Sequence, residues 1–469
     1  MSVVGRLAAG WLLDHLSFIN RCGYETWDSS GYPGGVPPSA SVAPTGAGRA
    51  AATPSSSDVP GCAIETGGEA ATTRYVFREE LFAVSEPHIA AAPEEQLWQR
   101  CPESSLIGLV IFLFLSSWGD VDFICSLLIP QKRKRKGVFN QGELEALEYH
   151  AKVRKLILEG TLCLVQEGLR SGFLQRPAAE LGGERSTVPR HAGCGLAELC
   201  DMAKQLPAGN DGARRAVHVL GEETSALPEQ DLLSCVTENS SDHARILVLM
   251  GQKYLVPPKS RFLLSDISRL QPLLDYKKKY DVIVIDPPWE NKSVKRSNRY
   301  SHLSSWEIKH IPVPALAAPH CLVVTWVTNR QKHLRFVKDE LYPHWSVKTL
   351  AEWHWVKITR AGEFVLPLDS LHKKPYEVLV LGRAEGDAKE ALRKAEDVPP
   401  VPEHQLIVSV PCVLHSHKPP LAAVLAEFVK PDTECLELFA RNLQPGWTSW
   451  GNEVLKFQHV DYFTPLQKE

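Results

Sequence analysis

The sequence lacks most of the features that assign a chain quickly. It has no C-x-x-C pair, and its 11 cysteines are an odd number in 469 residues. A disulfide framework and a paired-cysteine zinc site are both unsupported, and a reduced intracellular compartment is expected. Neither charge is in excess: 52 basic and 55 acidic residues leave −3. Any affinity for nucleic acid must therefore come from a local patch. There is no G-x-G-x-x-G and no Walker sequence, which leaves NAD and nucleoside-triphosphate chemistry without support. The apolar run Leu106–Leu115 is ten residues long, and Asp120 and Asp122 follow it. A bilayer needs about 20, so no membrane span is expected. A secretory leader is not expected either, because Asp14 and His15 interrupt the opening apolar residues.

What is present is enough apolar surface for a core, 44% of residues with 12 Trp. Residues 1–27 read as a short segment forming an amphipathic helix. Residues 28–136 read as a low-complexity, disordered region, since Gly, Pro, Ala, Ser and Thr dominate 28–73 and cannot offset their ordering entropy by burial. That region ends in Lys132-Arg133-Lys134-Arg135-Lys136, five cations that will not sit in a core. As an import signal the cluster places the protein in the nucleus, with the cytosol as alternative; the plainer reading is a solvated linker. Residues 137–250 read as helical. Asn140 and Glu143 have capping-box spacing, Tyr149, Val153 and Ile157 recur at helical intervals, and Gly160 predicts a stop before a second helix over Leu162–Leu169.

Residues 251–469 alternate between strand and helix patterns. Asp281–Ile285, His320–Val327, Trp345–Lys357, Tyr376–Leu381, Gln405–Val410 and Cys435–Phe439 read as strands, with helices over Gln331–Leu341 and Leu421–Val429. This predicts a wound α/β sheet covered on both faces, with ligands beyond the carboxyl ends of its strands.

Three clusters fall at such ends. Asp286-Pro287-Pro288-Trp289 follows the strand DVIVI. Two prolines remove two donors and leave backbone carbonyls as acceptors, which suits a planar ring bearing an amino group; an ordinary Pro-rich turn is the alternative. Glu437, Arg441, Asn442 and Asn452 form a polar set around a second strand end, suited to ribose hydroxyls and a charged tail. Lys418, within His415-Ser416-His417-Lys418-Pro419-Pro420, can hold a carboxylate. His415 and His417 have no third partner, so no metal is expected. The loop after D-P-P-W carries Lys292, Lys295, Arg296 and Arg299 with Tyr300 interleaved. It can track a phosphate backbone while an aromatic, Trp289 or Tyr300, stacks on a base. Arg330, Lys332, His333, Lys373 and Lys374 extend this basic rim.

Taken in order, D-P-P-W, the W-V-T-x-R strand end (Trp326 to Arg330), S-H-K-P (Ser416–Pro419) and E-L-F-A-R-N…Q-P-G-W…G-N (Glu437 to Asn452) resemble the mRNA-adenosine methyltransferase family. The resemblance spans about 138–469 and the opening 1–20. It implies a Rossmann-like fold and S-adenosylmethionine-dependent methylation of adenine N6 in nucleic acid, small nuclear RNA foremost and DNA as the rival; the alternative outside catalysis is a nucleic-acid-binding scaffold. The target adenosine is left open as to a 2′-O-methyl group, and the protein is expected to act as a monomer. Carried over, Asp286, Pro287, Pro288 and Trp289 are the catalytic motif. Asp266 and Ile267 match the pair that holds the cofactor's adenine, Lys418 the partner of its carboxylate, and Arg441, Asn442 and Asn452 its ribose and tail contacts. The chain departs from its relatives in a shorter Arg441-Asn442 loop, and in Glu453 where some have Gln.

Overall fold

The computed structural model describes residues 2–27, 72–88, 140–175, 196, 217–221, 233–290, 302–371, 373–386 and 398–467. In chain order the strands are β1 (Val3–Leu7), β2 (Gly10–Leu13), β3 (Glu25–Trp27), β4 (Thr72–Phe77), β5 (Val217–Val219), β6 (Val236–Glu238), β7 (Arg245–Leu249), β8 (Gln252–Val256), β9 (Arg261–Leu264), β10 (Tyr280–Ile285), β11 (Ala317–Val327), β12 (Val347–Lys357), β13 (Tyr376–Ala384), β14 (His404–Ser409), β15 (Cys435–Leu438), β16 (Trp447–Gly451) and β17 (Phe463–Gln467). Two helices recur below, α1 (His15–Asn20) and α2 (Gln141–Arg170).

Twelve strands form one sheet, ordered β1-β2-β14-β12-β13-β11-β10-β15-β16-β9-β6-β5. Strands β2, β14, β12, β11, β10, β15, β16 and β9 all run the same way, with β13 inserted antiparallel between β12 and β11. Val282 to Ile285 are at most 3% exposed. Both faces of β10 are covered: Ile283 and Ile285 join one core, Val282 and Val284 the other. That is why this strand reads as a continuous apolar run rather than an alternating one. The expected α/β, Rossmann-like class is the one observed. The chain leaves β10 for β11 on one side and β15 for β16 on the other. The crevice between β10 and β15 is thus the topological switch point, where such sheets bind ligands.

Elsewhere the structure corrects the sequence reading. Residues 1–27 are not chiefly a helix: β1 and β2 form a hairpin, and β2 pairs with β14 through Trp11↔Ile407. A short apolar run such as Gly10–Leu13 has no period that tells strand from helix; its neighbour decides. Residues 72–88, inside the stretch expected to be disordered, contain β4, which joins β3 and β17 in a small sheet. The expected helical hairpin is a single 30-residue helix, α2. Its capping box is present, with Asn140 and Glu143 bonded reciprocally at 3.1 Å. Gly160 does not stop it: a Cβ there would lie 2.5 Å from Leu406, so the glycine lets α2 press against β14. Among the described residues of the stretch expected to be helical, Val217–Val219, Val236–Glu238 and Arg245–Leu249 are strands, β5, β6 and β7. The cluster Lys132–Lys136, the run Leu106–Leu115, and Lys292, Lys295, Arg296, Arg299 and Tyr300 lie outside the described residues. Among the described residues no helix is long and apolar enough to cross a membrane.

Candidate active site

The parallel strands bring the expected residues to one edge of the sheet. Asp266 follows β9, Asn452 and Glu453 follow β16, Arg441 and Asn442 follow β15, Asp286 follows β10, and Lys418 lies beyond β14. Two turns at this edge use left-handed backbone at non-glycine residues. Phe439 has φ +61, which turns the chain sharply after β15 toward Arg441, and Ser416 has φ +66 two residues before Lys418. Such conformations cost about 1–3 kcal/mol and gather at functional sites. Gly451 allows the close approach of β16, since a Cβ there would stand 2.8 Å from the Ala440 carbonyl.

Across this edge runs a chain of alternating charges. Lys357 Nζ donates to Glu377 Oε1 at 2.5 Å, and Glu377 Oε2 accepts from Lys418. Lys418 Nζ lies 3.6 Å from Asp286 Oδ1. Asp286 Oδ2 accepts from Arg441 Nη1 at 3.1 Å. Arg441 Nε donates to Glu453 Oε2 at 3.1 Å, and Lys456 Nζ donates to Glu453 Oε1 at 2.9 Å. Burial opposes the Lys418 charge, but Asp286 and Glu377 outweigh it and raise the ammonium's pKa. Burial likewise opposes the Glu377 carboxylate, yet Lys418 and Lys357 hold it well below the usual range. Lys418 also sits 4.8 Å over the Trp326 ring. Glu437 lies deeper, level with Val284 on the neighbouring strand and 8% exposed. Burial first, and then the Asp286 carboxylate, push it up to about 7.

The D-P-P-W corner differs in part from expectation. Pro288 is not a free acceptor: its carbonyl takes the Leu303 N–H at 3.1 Å. Trp289 is 7% exposed, donates to the Trp326 carbonyl at 2.9 Å, and stacks on His333 with centroids 4.9 Å apart. A ring so covered cannot stack on a base without moving; it braces the corner instead. His333 is not on a basic rim either. It is buried, bonded to Thr328 Oγ1 at 2.8 Å, and burial and Arg330 lower its pKa to about 4. Arg330, Lys332 and Lys373 are exposed, and Lys374 is half-buried. His417 is buried against Phe457. No group of three metal-ligating side chains occurs among the described residues.

Sequence reasoning missed Lys357, Glu377 and Lys456. The first two end one strand and begin an antiparallel one 20 residues later. Only the sheet order shows that these positions share the carboxyl edge.

The residues present suit a nucleoside bearing a charged tail. Asp266 and Ile267 stand three strands from Asp286, about 14 Å at the usual strand spacing. Asp266 Oδ1 accepts from Ser268 N at 3.0 Å, and Ile267 packs against the core. Carboxylates alternate with cations, so a ligand with a positive centre and a carboxylate finds a partner for each. These features suit a ligand of the S-adenosylmethionine type.

The MT-A70 family pattern matches residues 280–453. The N(6)-adenine-specific methyltransferase METTL4 of Homo sapiens is 54% identical over 484 residues, covering 100% of this chain and 99% of that protein. The N6-methyladenosine RNA methyltransferase MTA1 of Pyricularia oryzae is 36% identical over 216 residues, 44% of this chain and 55% of its own length. The DNA N6-methyl methyltransferase of Caenorhabditis elegans is 36% identical over 224 residues, 46% of this chain and 56% of its own length.

Proposed function

The chain belongs to the MT-A70 family and is an N6-adenine methyltransferase, and from that premise we propose that it methylates adenosine in RNA, small nuclear RNA foremost, using S-adenosylmethionine. The observation that carries this reading is Asp286, held at the switch point by Arg441 on one oxygen and Lys418 beside the other. When bound, S-adenosylmethionine supplies a methyl group made electrophilic by its sulfonium.

The chain's own residues have four tasks. Adenine N6 is a poor nucleophile, because its lone pair is delocalised into the ring. A carboxylate offers about four acceptor positions. Asp286 therefore has capacity for an amine N–H beyond its two cation contacts. With the Pro287 carbonyl taking the other hydrogen, the nitrogen would become pyramidal and its lone pair would be freed from the ring. Arg441 and Lys418 fix the carboxylate so that this geometry exists before the substrate arrives, and orientation of that kind supplies much of the rate. Trp289 braces the corner through the Trp326 carbonyl. The N6 proton leaves after transfer, so no strong base is required first. An adenine already unpaired is the cheaper substrate, because no base pair has to be broken to expose it. The basic residues Lys292, Lys295, Arg296 and Arg299 would follow the backbone, with Tyr300 against a base.

The test is transfer of labelled methyl to matched RNA and DNA oligonucleotides, with Asp286→Ala as blank. Label recovered as N6-methyladenine on RNA, and absent with the variant, is the expected result. Label on DNA alone would overturn the choice of RNA. Normal turnover by Asp286→Ala would overturn the role of Asp286.

A further inference from the structure

Helix α1 reaches the back of the site. Asp14 caps it, accepting from Ser17 N at 2.9 Å. Its first residue, His15, is 4% exposed. The His15 ring meets His417 edge to face, with centroids 4.6 Å apart, and meets Phe82 at 4.8 Å. His417 lies flat on Phe457, with centroids 4.0 Å apart and planes 13° from parallel. It is the residue before Lys418, so this stack holds the backbone from which the lysine departs.

The packing leaves polar atoms inside. His15 Nδ1, His417 Nδ1 and Gln444 Oε1 are buried without a hydrogen-bond partner. These three residues line one cavity of about 20 Å³, together with Lys418, Glu437 and Asn442. Burial lowers the His15 pKa to about 3 and that of His417 well below its ordinary value, so both rings are neutral. Each neutral ring keeps one N–H and one acceptor nitrogen. A space of this size holds about one water, and a buried water makes about three hydrogen bonds. Partnerless atoms on three of the residues that line it are what such a water would satisfy.

We propose that this cavity is a fixed hydration site through which His15, on the N-terminal helix, positions Lys418 and Glu437. His15 and His417 are positioning residues; neither touches the reacting atoms. The proposal rests on the reading of Lys418 and Glu437 as groups that face the cofactor.

The test uses the full chain and steady-state methyl transfer. His15→Phe keeps the ring packing and removes the nitrogens. The KM for S-adenosylmethionine should rise about tenfold, on the order of one hydrogen bond's worth, while kcat stays within about twofold. His15→Asn, whose amide stands where Nδ1 stands, should recover most of the affinity. A phenylalanine variant with unchanged KM, or an asparagine variant no better than it, would overturn the proposal. Lys418→Met is measured alongside. If it too leaves KM unchanged, the reading of the site fails and takes the proposal with it. If it raises KM while His15→Phe does not, the proposal alone fails. Should His15→Phe not fold, nitrogen NMR of the histidine-labelled natural protein decides. Both Nδ1 resonances at hydrogen-bonded positions support the hydration site, and either at a non-bonded position overturns it.

Discussion

Glu437→Gln should make the protein more stable in mildly alkaline solution and leave it nearly unchanged in acid. The Glu437 carboxyl is 8% exposed, and Gln444 Nε2 donates to it at 3.3 Å. Burial and the Asp286 carboxylate raise its pKa from 4.5 to about 7. The unfolded chain has the ordinary value. Between those two values the folded protein holds a proton that the unfolded chain has released, so stability falls as pH rises through this window and is level above it. A displacement from 4.5 to about 7 at 1.36 kcal/mol per unit is ~3 kcal/mol. Glutamine keeps the shape and does not titrate. Urea unfolding of both proteins at about pH 4.5 and about pH 8.5 measures the difference directly, and the variant's advantage should appear only at the higher value. An equal difference at both would refute the argument that burial strains this carboxylate. A cationic ligand beside Glu437 would also favour its charged form. Binding of S-adenosylmethionine near neutrality should therefore release a proton, detectable by calorimetry in buffers of different ionisation enthalpy.

Other substitutions test the remaining parts. Arg441→Met leaves Asp286 and Glu453 each one cation short in a mostly buried setting; a loss of about 3 kcal/mol in unfolding free energy is expected, together with weaker cofactor binding by calorimetry. Asp369 accepts from Arg154 at 2.8 Å twice and contacts His150 at 3.0 Å, and against the upward pull of burial these partners lower its pKa below 3.8. Asp369→Asn should therefore destabilise the protein at neutral pH, and the difference should close as pH falls below 3.8, which a series of thermal melts would show. Reversing Lys295 and Arg296 to Glu should lower RNA affinity and flatten the salt dependence by about two phosphate contacts' worth, read from binding at several ionic strengths. Deleting Lys132–Lys136 should move a tagged protein out of the nucleus under the microscope.

The sequence by itself determined the strands of the catalytic half and the chemistry at their ends. Val282 to Ile285 are four β-branched residues in a row, closed by Pro287 and Pro288, a composition that favours a buried strand, and the structure puts Ile283 and Ile285 in one core and Val282 and Val284 in the other. Asp286, Arg441 and Lys418 then had to fall in loops after apolar strands. Local signals carry that much: burial writes itself as period, and a cap writes itself as Asn140 followed by Glu143. The tertiary structure decided what depends on which strands are neighbours. Trp11 pairs with Ile407, so an opening that reads as a helix becomes a sheet edge. Leu406 lies where α2 needs Gly160, so a residue that reads as a stop becomes a contact. Lys357 and Glu377 close a charge chain with residues 286, 418 and 441 only because β13 runs against β12 and β11. The pairing of strands distant in sequence is selected by the summed burial of the whole sheet, and no window of the chain contains that sum.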